Sequence, residues 1–163
     1  FDSKHYLYYM GDIFKEDNVN NKLKQYRQHG VEIINCAKLE SFKVVIKILE
    51  KIFSKFLKKD FIFIFTDPKI KTKKKFLLDL SATKNNIRKY TNIFKKNSKF
   101  EYALNLEKNF FSKDYHQDIF FYVYSRKTKK ILAQGGGYQH KQNSKKINGF
   151  GFSCNIDNLV DLI

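Results

Sequence analysis

Gln28 and Glu32 stand four residues apart in "QHGVE". A carboxylate and an amide together suit an ammonium group, and on a strand, where side chains alternate, that spacing projects both to one face. An exposed sheet face is the plainer alternative. The other reactive residue types fall in less suggestive patterns. His5, His29, His116 and His140 are scattered, with no partner at helical or zinc-ligand spacing. Cys36 and Cys154 are the two cysteines, each in an apolar stretch, and read as buried free thiols in a reducing compartment. The run Gly135-Gly136-Gly137 lacks the glycine-lysine-hydroxyl ending of a phosphate loop. Ser153 lacks the second glycine of a nucleophile elbow. No metal site and no cofactor is expected.

The elements that must carry Gln28 and Glu32 can be read from periodicity. Residues 5–14 are strand-like, interrupted by Gly11, and 30–37 form a second strand. The polar stretch 15–27 between them is a loop or a hairpin arm. Residues 39–58 are the clearest helix, with Leu39, Phe42, Val45, Ile46, Leu49, Ile52, Phe53 and Phe56 on one side and lysines on the other. "FIFIF" (61–65) is a buried strand stopped by Asp67-Pro68. The basic run 69–75 belongs on the surface. Residues 76–96 look helical, and a short helix is expected over Tyr102–Lys108. Residues 118–124 and 131–138 form a β-hairpin, and 146–156 form a further strand. A helix then begins with Asn155 or Asp157 as its cap. Strands outnumber crossover helices, so the expected fold class is α+β, an antiparallel sheet flanked by helices.

The length, 163 residues, is that of a single domain spanning 1–163. The chain opens directly on strand-like sequence without Met, so an N-terminal part is expected to be missing. No apolar run approaches the ~20 residues that span a bilayer. The net charge is +16, from 29 Lys and only 3 Arg (Arg27, Arg88, Arg126) against 16 acidic residues. Dedicated phosphate and base readers favour the bidentate arginine fork. Abundant Lys, Asn, Ile, Phe and Tyr are instead what AT-rich coding does to neutral surface positions. A nucleic-acid partner is therefore the less favoured reading of the charge.

Four blocks, taken in order, carry a resemblance: "YYMGDIFKEDNVNNKLKQYRQHGVEIIN", "DYHQDIFFYVY", "ILAQGGGYQH" and "INGFGFSCNIDNL". The first resembles motif 2 of the class II histidyl-tRNA synthetase family. The second resembles that family's histidine-binding Tyr-Tyr segment, the third its Gly-Gly-Arg-Tyr-Asp strand, and the last its motif 3. The resemblance implies a class II synthetase-like catalytic fold from motif 2 onward. Motif 1, the dimerisation element, would lie upstream of Phe1, and a homodimer through that region is expected. It also implies that Gln28, Glu32, Tyr115, His116 and Tyr138 are the histidine-binding positions.

The departures bear on activity. The family's phosphate-gripping arginines fall on Lys15, Lys22 and Lys24 in motif 2 and on Asn158 in motif 3. The catalytic arginine before the Tyr-Tyr segment falls on Phe111, and Asp118 replaces that segment's glycine. The glycine-rich strand becomes Gly135-Gly136-Gly137, with Gly137 where the family has arginine. Amino-acid activation develops negative charge that positioned cations must stabilise. A chain with these losses is expected not to be an enzyme. It is most similar to the family's regulatory branch, which assembles with the catalytic subunit of ATP phosphoribosyltransferase in histidine biosynthesis. The resemblance implies a cytoplasmic, allosteric subunit that binds free histidine. The alternatives are a divergent histidyl-tRNA synthetase and a lysine-rich RNA-binding module.

Overall fold

"GFGF" at 149–152 shows how the sheet sorts its side chains. Phe150 and Phe152 turn into the core, and Gly149 and Gly151 turn to the opposite face. The computed structural model describes residues 3–17, 22–56, 60–67, 76–77, 85–105, 116–142 and 145–162. Within them the elements run β1 (His5–Asp17), β2 (Lys22–Ile34), α1 (Lys38–Phe56), β3 (Phe61–Thr66), β4 (Phe76–Leu77) and α2 (Asn85–Asn97), followed by β5 (Tyr102–Asn105), β6 (His116–Ser125), β7 (Ile131–Gln142), β8 (Lys145–Asn155) and α3 (Ile156–Val160).

One eight-stranded sheet forms, in the order β1-β2-β8-β7-β6-β3-β5-β4. It is antiparallel except where β3 and β5 pair in parallel. Helix α1 places Phe42, Val45, Ile46, Leu49 and Phe53 in the core at the expected spacing. Helix α2 does the same with Ile87, Tyr90 and Phe94. Both helices pack on the sheet face that carries Phe63, Phe65, Phe121, Phe150 and Phe152. The contact is largely ring against ring: Phe42 meets Tyr90 edge-on at 5.0 Å, and Phe63 meets Phe94 at 4.9 Å. On the other face Phe120 and Tyr122 of β6 are buried, whereas Leu7, Tyr9 and Lys15 of β1 are exposed.

The polar stretch 15–27 resolves into hairpin arms. Strands β1 and β2 pair without a break from His5↔Ile34 to Asp17↔Lys22. Two expectations need correction. Tyr102–Asn105 is strand, not the start of a helix, because it pairs with β3 on one side and β4 on the other. Phe76–Leu77 is strand as well, and the helix expected from residue 76 begins at Asn85. The basic run 69–75 lies outside the described residues. Asn155 caps α3: its side-chain oxygen accepts the Asn158 N–H at 3.0 Å. Asp157 instead accepts the backbone N–H of Arg27 at 3.0 Å, which ties α3 to β2.

Candidate functional site

The open face of β1, β2, β8 and β7 is floored by glycine. Side chains lie flat over those glycines, because any Cβ there would strike them. The ring of Tyr9 covers Gly30, the ring of Tyr138 covers Gly149, and the carboxylate of Glu32 covers Gly151. The cross-strand register produces this: Tyr9↔Gly30, Tyr138↔Gly149 and Glu32↔Gly151 are directly opposed.

Glu32 is half-buried, and Tyr138 Oη donates to its Oε2 at 2.9 Å. Burial pushes the Glu32 carboxyl above its ordinary value, and the Tyr138 hydrogen bond opposes that shift. No described cation pairs with Glu32. Gln28 Nε2 donates to Tyr9 Oη at 2.7 Å. Burial raises the Tyr9 phenol, again against its hydrogen bond from Gln28. Gln28 and Glu32 do share one face, as their spacing predicts. Tyr9 stands between them and occupies the Gln28 amide.

Further along the hairpin, Ile13, Lys15, Tyr26, Gln28, Ile131, Gln134, Asn155 and Asn158 line a cavity of about 270 Å³. Lys15, Gln28 and Asn158, which lie far apart in sequence, converge here. Asn158 donates its side-chain amide to the Ile131 carbonyl at 2.8 Å, so that group is engaged within the fold. Lys15 is the charged residue of the lining and faces Lys24 across the hairpin. The open face thus runs from a carboxylate at Glu32, past the amide of Gln28, to an ammonium at Lys15.

Of the remaining expected positions, Lys22, Lys24 and Gly136 fall on this face by register, and Gly135 and Gly137 on the opposite one. Lys22 stands at the far end of the hairpin, opposite Asp17. Gly136 is opposed to Gly151 and shares the open face, whereas Gly135 and Gly137 point to the helical side. Packing alone accounts for glycine at both positions. A Cβ on Gly135 would strike the backbone of β8, and one on Gly137 would meet Asp118 Cβ at 2.9 Å and the Phe150 ring at 3.2 Å. Asp118, buried, takes that space and pairs with Lys38 at 3.0 Å. His116 is opposed to Tyr138 in the β6–β7 pairing. Tyr115 and Phe111 lie outside the described residues. Reading the sequence missed Tyr9, Tyr26 and Gln134. The signal for Tyr9 is its register opposite a glycine, which exists only once the hairpin is paired.

Among the described residues no cluster of three His, Cys, Asp or Glu could hold a metal, and no helix is long and apolar enough to cross a membrane. No family model and no curated protein matches the sequence. Solved structures do match. Apo histidyl-tRNA synthetase of S. aureus is 18% identical with a TM-score of 0.66, over 96% of this chain and 43% of that one. The ATP phosphoribosyl transferase (HisG:HisZ) complex of Thermotoga maritima is 15% identical with a TM-score of 0.67, over 94% of this chain and 73% of that one. An ATP phosphoribosyltransferase regulatory subunit/histidyl-tRNA synthetase of Bacillus halodurans C is 13% identical with a TM-score of 0.70, over 96% and 58%. The chain therefore spans less than half of the staphylococcal synthetase. At these identities the likeness is one of fold, and the fold is that of the class II histidyl-tRNA synthetase-like proteins.

Proposed function

We propose that this chain is a non-catalytic regulatory subunit of ATP phosphoribosyltransferase. It acts in the cytoplasm as a homodimer, binds free histidine on the open sheet face, and passes feedback inhibition to a short-form catalytic subunit. The observation that carries this reading is the cavity at the hairpin. A nucleotide-activating site needs positioned cations around developing phosphate charge. Here Asn158 spends its amide on Ile131, and Lys15 remains as a point charge without the bidentate fork. Glu32, half-buried and without a described cation, is the complementary feature: it suits a cationic group of histidine. The likeness to a regulatory-subunit structure supports the reading at the level of fold.

Coupling requires that histidine bind the active and inhibited assemblies unequally. Added to a short-form catalytic subunit, the chain is expected to raise phosphoribosyl-ATP formation and to make that rate sensitive to histidine. No change in rate and no change in histidine sensitivity overturns the proposal. The fold equally favours a second reading, a divergent histidyl-tRNA synthetase. Histidine-dependent ATP–pyrophosphate exchange separates the two: the regulatory reading expects none.

A further inference from the structure

Gln28 and Glu32 lie about 13 Å apart along β2. A ligand that touches both side chains must lie over the residue between them on that face, which is Gly30. That space is taken. The ring of Tyr9 reaches over from β1, and any Cβ on Gly30 would strike its Cζ, Cε1 and Oη. The hydroxyl accepts from Gln28 Nε2 at 2.7 Å and lies beside Ser153, which opposes Gly30 on β8. Tyr9 therefore covers the floor between the two polar groups and engages one of them. Its hold is light. Tyr9 is 40% exposed even when seated, whereas Tyr138 over Gly149 is half-buried. Gly11 follows Tyr9 by two residues and shares its face, and nothing among the described residues lies within 4 Å of where a Gly11 Cβ would be. The ring thus has a seat on Gly30 and room beside Gly11, and a change of side-chain rotamer carries it from the first towards the second.

We propose, on the reading of this face as a histidine site, that Tyr9 is its lid. Seated on Gly30, the ring closes the glycine floor between Gln28 and Glu32. A small amino acid binds there only after the ring has swung off and released the Gln28 amide. Closed ring and ligand compete for one space, so apparent affinity is the intrinsic affinity scaled by the fraction of chains with the lid open. The free and bound chains then differ in the position of a β1 side chain. That difference is what a second protein in contact with β1 would read, and unequal contacts in two states are the requirement for coupling.

Titration calorimetry with free histidine tests the lid. Tyr9→Ala removes the ring and is expected to bind histidine roughly tenfold tighter than the unsubstituted chain, the gain when a state populated about one-tenth of the time becomes dominant. Equal or weaker binding by Tyr9→Ala overturns the lid, and histidine binding by the unsubstituted chain leaves the histidine reading standing. A second measurement needs no ligand. In NMR of the tyrosine-labelled chain, with Tyr9 assigned by its loss in Tyr9→Phe, the seated phenol is expected to titrate above its ordinary 10.0, because burial disfavours its charged form. Gly30→Ala fills the seat. Gly30 has no positive φ, and the atoms its Cβ would meet are at the far end of the Tyr9 side chain, so the ring moves and the backbone does not. The phenol is then expected to return towards 10.0. Identical titration in the two chains overturns the lid. Histidine binding by none of these chains overturns the histidine reading, and the titration then decides the lid by itself.

Discussion

Glu32 holds a carboxylate that half-burial disfavours, and Tyr138 donates its one described hydrogen bond. The folded chain therefore binds the Glu32 proton more tightly than the unfolded chain, whose carboxyl titrates near its ordinary 4.5. The stability this contributes is full below that value and is lost as pH rises through the higher folded one. Glu32→Gln is expected to flatten the fall in melting temperature from about pH 4.5 upward. The same substitution is expected to weaken histidine binding at least about tenfold by calorimetry, since a hydrogen-bonded charge is removed. Tyr138→Phe strips the carboxylate of that donor and is expected to cost about 1–3 kcal/mol at pH 7 in urea unfolding. Gly137→Ala must displace Asp118 or the Phe150 ring and is expected to cost about 1–3 kcal/mol by the same measurement. At this scale the sequence was partly readable. The spacing of Gln28 and Glu32 put them on one face correctly. The part of Tyr9 was not readable, because the partner that makes room for it, Gly30, is chosen by cross-strand register and not by any local pattern.

Among the elements, α1 was legible because Phe42, Val45, Ile46, Leu49 and Phe53 repeat at 3.6 and all pack inward. Phe42 touches Phe65, Tyr90 and Phe150 and is fully buried, so Phe42→Ala is expected to cost about 3–5 kcal/mol in denaturant unfolding. Strand β5 was misread for an equally physical reason. "EYALNLEK" is rich in helix formers, but Tyr102–Asn105 is held between β3 and β4, and pairing outweighs intrinsic preference in so short a stretch. The small helix α3 is legible from its cap alone. Asn155→Ala is expected to cost about 1 kcal/mol, measured by thermal unfolding. That loss would also loosen Asn158 and with it one wall of the cavity beside Lys15.

For the whole molecule, alternation and strand count were enough to indicate an antiparallel sheet flanked by helices, but not that both long helices pack on one face. Its strand order was not readable from periodicity, because β8, last of the described strands, is inserted between β2 and β7. Residues Ile34 and Gly149 become neighbours across that join although most of the chain separates them. That placement has a consequence during synthesis. The β1–β2 hairpin leaves the ribosome early, with an apolar side and two unpaired edges. Its inner edge stays without a partner until β8 has been translated, a wait on the order of 6–24 s at ~5–20 residues per second. The nascent chain is therefore most prone to aggregation in that interval, and chaperone supply during it, more than final stability, is expected to set the soluble yield. A pulse-chase comparison with and without a ribosome-bound chaperone measures this: soluble yield should fall without it, even for variants whose melting temperature is unchanged.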